Sequence, residues 1–139
     1  MTDAQIIYPM FAMFLLTGLV FISLFRARSS AVARGDIKPS HFLTYSDYQK
    51  EAPRTLTLSR HFSNMFETPV LFYTVCLAII VSDAIHPVLV GLAWTYVAMR
   101  VLHALIHTGS NNLRWRIFAY FGSWIVLFAL WVGLIINVS

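Results

Sequence analysis

Acidic side chains are nearly missing from this sequence. Asp and Glu number 6 in 139 residues, and charged residues of both signs make up only 12%, against about 25% in ordinary soluble domains. Apolar residues reach 58%. A chain this short exposes much of its surface even when folded, so it cannot hide that share from water. A freely soluble globular domain is thereby excluded, and lipid is the solvent that fits. Cysteine is reduced to Cys76, inside an apolar run. No intramolecular disulfide and no cysteine metal motif can form, and a thiol so placed reads as inert packing. No Lys or Arg precedes Arg26. The first apolar run therefore lacks the basic n-region of a cleavable signal peptide and is expected to persist as a membrane helix. Internal repeats and low-complexity tracts are also absent, and the length allows a single domain, residues 1–139.

What is present is arranged around apolar runs. Of the 10 Lys and Arg residues, those from Arg26 to Arg60 form one group, Arg114 and Arg116 another, and Arg100 stands apart. Basic residues that flank apolar runs follow the positive-inside pattern. A nucleic-acid binder would instead gather them on one folded basic face, so no nucleic-acid partner is expected. The runs predict helices over about 6–25, 59–81, 88–107 and 113–137, each long enough for a bilayer core of about 30 Å. Thr57 or Ser59 would cap the second, and Pro69 would bend it. A basic loop, 26–58, follows the first helix, with Gly35, Pro39 and Pro53 as breakers. Its Phe42, Leu43, Tyr45 and Tyr48 either rest on the membrane interface, fold back over the bundle, or belong to a plain solvated loop. The short 82–87 turn carries Asp83 and no Lys or Arg. The expected fold is an all-α membrane protein, a four-transmembrane-helix bundle with both termini outside.

Ionisable residues within membrane spans are costly and mark function. Arg60, Asn64 and Glu67 recur at i, i+4 and i+7, which places them on one face of a continuous helix. Arg100, His103 and His107 share a face of the third helix, with Tyr96 a turn beyond. Arg116, Tyr120 and Ser123 share one on the fourth. Glu67 and Arg100 each lie seven residues, about 10 Å, from the basic end, so they are expected to pair, since either alone would be an uncompensated charge. On the basic side of that pair, Arg60, Asn64, His103, His107, Arg116 and Tyr120 would form a cationic, hydrogen-bonding pocket for a small anion with several carboxylates. The bland readings are that Glu67–Arg100 only sets register, that Asn64 only bonds across helices, and that Arg26, Arg28, Arg114 and Arg116 are interface anchors. His103 and His107 at i, i+4, with Glu67, are an incomplete metal set, so no metal is assigned. His41, His61 and His86 read as loop or interface residues.

Two runs carry a family pattern. Residues 60–73, RHFSNMFETPVLFY, and 100–120, RVLHALIHTGSNNLRWRIFAY, resemble the second helix and the third-helix to fourth-helix segment of the MAPEG family, the membrane-associated proteins in eicosanoid and glutathione metabolism. The resemblance spans essentially the whole chain. It implies a homotrimer in an inner-membrane or endoplasmic-reticulum-type membrane, with glutathione bound between subunits near the cytoplasmic face. It also implies detoxifying chemistry, as transferase or peroxidase, on a lipophilic small-molecule substrate. By motif position Asn64, Glu67, His103, Arg116 and Tyr120 match glutathione contacts. Arg100 matches the arginine paired with the glutamate, and Arg26 or Arg28 matches one at the end of helix one. Arg116 matches an arginine proposed to stabilise the thiolate, in keeping with the lowering of a thiol pKa by a guanidinium.

The sequence departs from the pattern in places. His107 stands where many members have tyrosine, Ser63 and Thr57 stand where some have arginine, and the proline is one residue nearer the glutamate than in the eicosanoid enzymes. These departures point to a general or uncharacterised branch rather than an eicosanoid synthase. Two alternatives stay open: a non-catalytic lipid-binding or scaffold subunit of a membrane complex, and a small haem or metal redox subunit using His103 and His107.

Overall fold

A computed structural model describes residues 2–44 and 51–138. The helices are α1 (Ala4–Ala33), α2 (His41–Thr44), α3 (Pro53–Asn64), α4 (Thr68–Val81), α5 (Pro87–Thr108) and α6 (Leu113–Val138). Four segments are long and apolar enough to cross a membrane: α1, α3 with α4 (Pro53–Val81), α5 and α6. Among the described residues there is no strand.

The first helix runs past the expected end at Phe25 as far as Ala33. Loss of hydrophobicity ends a membrane span but not a helix. Residues 26–33 hold no glycine or proline, and their Arg and Ala are good helix formers. The stop comes at Gly35, where φ is +75°, a conformation that glycine adopts at little cost. At about 45 Å, α1 outruns the bilayer core and carries its basic end beyond it. The chain then folds back on it. Arg28 donates from Nη2 to Ser59 Oγ at 3.0 Å, lies 3.9 Å from the buried Glu51 carboxylate, and sits 5.1 Å from the centre of the Phe42 ring. Of the aromatic patch expected in this loop, Tyr45 and Tyr48 fall outside the described residues.

The second span departs most from expectation. It starts at Pro53 rather than near Thr57 or Ser59, with Ala52 as N-cap and no side-chain cap. Proline suits the first helical turn, where its missing N–H has no helical partner to serve. The span is also two helices, not one bent helix. Pro69 has no N–H for the Met65 carbonyl, and its ring clashes with that carbonyl four residues back. The chain answers with a turn at 65–67, where Met65 and Phe66 donate to the Phe62 and Ser63 carbonyls three residues back. A new helix begins at Thr68.

The outer shell of the bundle is apolar, with Ile125 70% and Phe128 71% exposed, as lipid-facing positions require. Inside, Ile6 and Met13 of α1 meet Phe72, Val75, Cys76 and Ile79 of α4, and Leu89, Ala93, Leu127 and Leu130 of α5 and α6. The Phe72 and Tyr96 rings stack at 4.4 Å, and Tyr96 donates its hydroxyl to Thr68 Oγ1 at 3.1 Å. The stack and the hydroxyl bond together tie α4 to α5. The α5–α6 hairpin closes tightly enough that a Cβ on Gly133 would meet Leu89 at 2.6 Å, the close approach that small residues permit between membrane helices. The turn between α4 and α5 holds Asp83 at φ +52°. There Asp83 and Ala84 donate to the Ile80 and Ile79 carbonyls, a Schellman-type closure.

Candidate functional site

At the basic end of the bundle three helices surround a cavity of about 420 Å³. From α3 it receives Thr57, Arg60 and Asn64, from α5 His103 and His107, and from α6 Arg116, Ile117, Tyr120 and Phe121, with Asn111 from the connecting loop. Arg60, Asn64, His103, His107, Arg116 and Tyr120, which the helical spacings assign to one pocket, are thus brought around one space.

Local structure explains how the α6 side is held. Asn111 adopts φ +48°, and its Oδ1 accepts from Arg116 Nη1 at 2.9 Å. Asn112 Oδ1 accepts from the Arg114 N–H at 3.1 Å, which serves one of the orphan donors at the start of α6. The Arg116 guanidinium is therefore steered by the loop before its own helix. The Arg116 carbonyl accepts from His103 Nδ1 at 3.3 Å. A carbonyl only accepts, so the His103 proton sits on Nδ1 and leaves Nε2 with a lone pair. The Tyr120 ring lies 5.7 Å from that of His103.

Three expectations need correction. Glu67 does not pair with Arg100 and does not join Arg60 and Asn64 on one face. The i, i+7 rule assumes an unbroken helix, and the turn at 65–67 swings Glu67 onto the exposed surface. Arg100, 0% exposed, instead donates from Nη2 to the Asn64 backbone carbonyl at 3.2 Å and reaches Met65 Sδ at 3.5 Å. It serves the broken end of α3, where a cation also meets the negative end of the helix dipole. Its Nε and Nη1 have no hydrogen-bond partner among the described residues. Arg26 and Arg28 are also kept out of the cavity. Arg28 is turned into the loop, and Arg26 lines a separate cleft of about 960 Å³ beside α1, α3 and α5.

His61 is the third correction. Read as a loop or interface residue, it is 0% exposed and shares the buried face of α3 with Thr55 and Leu58. Its ring lies 5.4 Å from that of His103 and 5.0 Å from that of His107. The available signal was the 55, 58, 61 spacing of the inward face. His41 also proves half-enclosed, its Nε2 lying 3.4 Å from Glu51 Oε1, whereas His86 caps α5 through Nδ1 at 3.3 Å from the Val88 N–H.

A bundle of four membrane-length apolar helical spans defines an integral, multi-pass membrane protein. The MAPEG family model matches residues 6–136, and the chain belongs to that family. Comparison with curated proteins and with solved structures returned no match. The family is one of membrane four-helix bundles. It includes glutathione transferases and peroxidases as well as other members, and its members commonly use glutathione.

Proposed function

We propose that this chain is a glutathione-dependent membrane transferase or peroxidase acting on lipophilic electrophiles or hydroperoxides. The observation that carries the reading is the cavity lining, where Arg60 and Asn64 of α3 and Arg116 and Tyr120 of α6 border one space of about 420 Å³, within the usual range for small-ligand sites. Glutathione has two carboxylates, an ammonium and amide groups; the lining offers guanidinium donors for a carboxylate and the Asn64 and Tyr120 oxygens as acceptors for the ammonium and amides. Arg60 would hold a carboxylate through charge-assisted bonds. Asn64, Tyr120 and the imidazoles supply neutral donors and acceptors. Bound there, glutathione supplies a nucleophilic thiol. The Arg116 guanidinium, held by Asn111, favours the thiolate electrostatically. Ile117 and Phe121 give the same cavity an apolar flank through which a lipophilic partner would enter from the bilayer.

In this reading the basic end is cytoplasmic, both termini are outside, and the chain works as a homotrimer. Support for assembly comes from Glu67, an exposed carboxylate within a membrane-spanning segment. Facing lipid it would cost several kcal/mol, about 2.5–3.5 at a span centre, so a neighbouring subunit is expected to cover it. The test is conjugation of glutathione to a lipophilic aryl halide in proteoliposomes. Arg116→Ala is expected to lower turnover by about 10²–10³, the usual cost of losing one group that stabilises reaction charge. Arg114→Ala, at an exposed position two residues away, is expected to leave it unchanged. Full turnover in Arg116→Ala would contradict the reading.

A further inference from the structure

Three buried imidazoles meet where α3 and α5 pack together. His61, His103 and His107 are 0%, 2% and 5% exposed. Each offers one ring nitrogen in a group whose members all lie within 4.8 Å of one another. Among the described residues, both nitrogens of His61, Nε2 of His103 and Nδ1 of His107 have no hydrogen-bond partner. A buried polar atom without a partner costs about 1–3 kcal/mol, and here three residues carry that cost at one point. A packing role explains none of it, since leucine or phenylalanine would fill the same space without the penalty. A ligand that uses the lone pairs does explain it.

We propose that His61, His103 and His107 form a three-nitrogen site for a zinc-class divalent metal ion. Three neutral imidazoles with one open position is a recurrent zinc arrangement. Zinc–nitrogen bonds of 2.0–2.1 Å place tetrahedral nitrogens roughly 3.3 Å apart, so the rings need to close by about 1.5 Å, within reach of side-chain rotation. One of the three histidines is already oriented for this role. The His103 Nδ1 proton goes to the Arg116 carbonyl at 3.3 Å, which aims Nε2 as a ligand, the usual partner arrangement for a metal-bound histidine. Arg60 and Arg116 line the cavity shared with His103 and His107, and Arg100 is buried at the adjoining end of α3. A dication among these guanidiniums requires a negative fourth ligand. The cavity side of the site is open to an anion such as hydroxide, a carboxylate or a thiolate, and the same arginines attract it.

The site stands on the three imidazoles alone and holds whether or not glutathione occupies the cavity. The test is titration of chelator-treated, detergent-purified protein with Co²⁺, followed by Zn²⁺ displacement. The expected result is one Co²⁺ per chain with the intense visible bands of a tetrahedral ion, lost on adding one equivalent of Zn²⁺. His61→Phe keeps the ring volume and leaves the cavity lining untouched, and it is expected to weaken binding by about 100-fold or more, at or beyond the upper end of what loss of an outer-shell partner costs. His61→Gln guards against a folding defect in that variant, and His86→Gln is expected to bind as wild type. Absence of tetrahedral Co²⁺ bands in folded wild-type protein would overturn the proposal, as would equal affinity in folded His61→Phe or His61→Gln.

Discussion

Arg100 and Pro69 should be energetically coupled through the break between α3 and α4. Pro69 breaks the second span and leaves the last carbonyls of α3 short of donors. The Asn64 carbonyl receives a long bond from the Glu67 N–H at 3.4 Å, and the Arg100 guanidinium completes its set at 3.2 Å. A charge-assisted bond of this kind contributes about 1.5–3 kcal/mol, set against the cost of burying the guanidinium, which is several kcal/mol per ion. Arg100→Met removes both contributions in the wild type. In Pro69→Ala the Met65 carbonyl regains its donor and the ring clash disappears, so α3 and α4 can run on as one helix and the Asn64 carbonyl can take the Thr68 N–H. In that background Arg100 caps nothing, and Arg100→Met only relieves a buried charge. The effect of Arg100→Met should therefore shift toward stabilisation by about 1.5–3 kcal/mol between the two backgrounds. The assay is a double-mutant cycle on reversible unfolding in mixed micelles, followed by far-ultraviolet circular dichroism. Additivity within about 0.5 kcal/mol would refute the idea that Arg100 exists to serve the break.

Tyr96→Phe keeps the stack on Phe72 but removes the hydroxyl bond to Thr68, so it should cost about 0.5–1.5 kcal/mol in the same unfolding assay. Asp83→Gly places glycine at φ +52° in an exposed turn, and the thermal midpoint should rise as about 1 kcal/mol of left-handed strain is removed. Glu67→Leu should lower the oligomeric fraction seen by light scattering in detergent, because a buried inter-subunit partner would be stranded. An unchanged or larger oligomeric fraction would place Glu67 at the lipid instead.

Most of the spans were legible because hydrophobic run length reports on the bilayer directly, as it does for α5 and α6. The cavity lining was legible for a related reason. Arg60 and Asn64 share α3, His103 and His107 share α5, and Arg116 and Tyr120 share α6, and within each pair the spacing is four residues along an unbroken helix. Glu67 was misplaced because the same rule was carried across a break. Proline four residues after Met65 announces the break, but only the tertiary fold shows that the chain resolves it with a turn rather than a bend. His61 was missed because its partners lie more than forty positions away on another helix, and no local period links them. The end of α1 was set too early because hydropathy measures lipid contact, whereas the helix is ended by the conformation at Gly35.

The most direct test of the account is calorimetric titration of the detergent-purified protein with glutathione, comparing wild type with Arg60→Ala and Arg116→Ala. The cavity reading predicts saturable binding that weakens in each variant by about 1.5–3 kcal/mol, the worth of one charge-assisted contact, or roughly 10- to 150-fold. Saturable binding of equal strength in all three proteins, or no binding to wild type at millimolar glutathione, would contradict it.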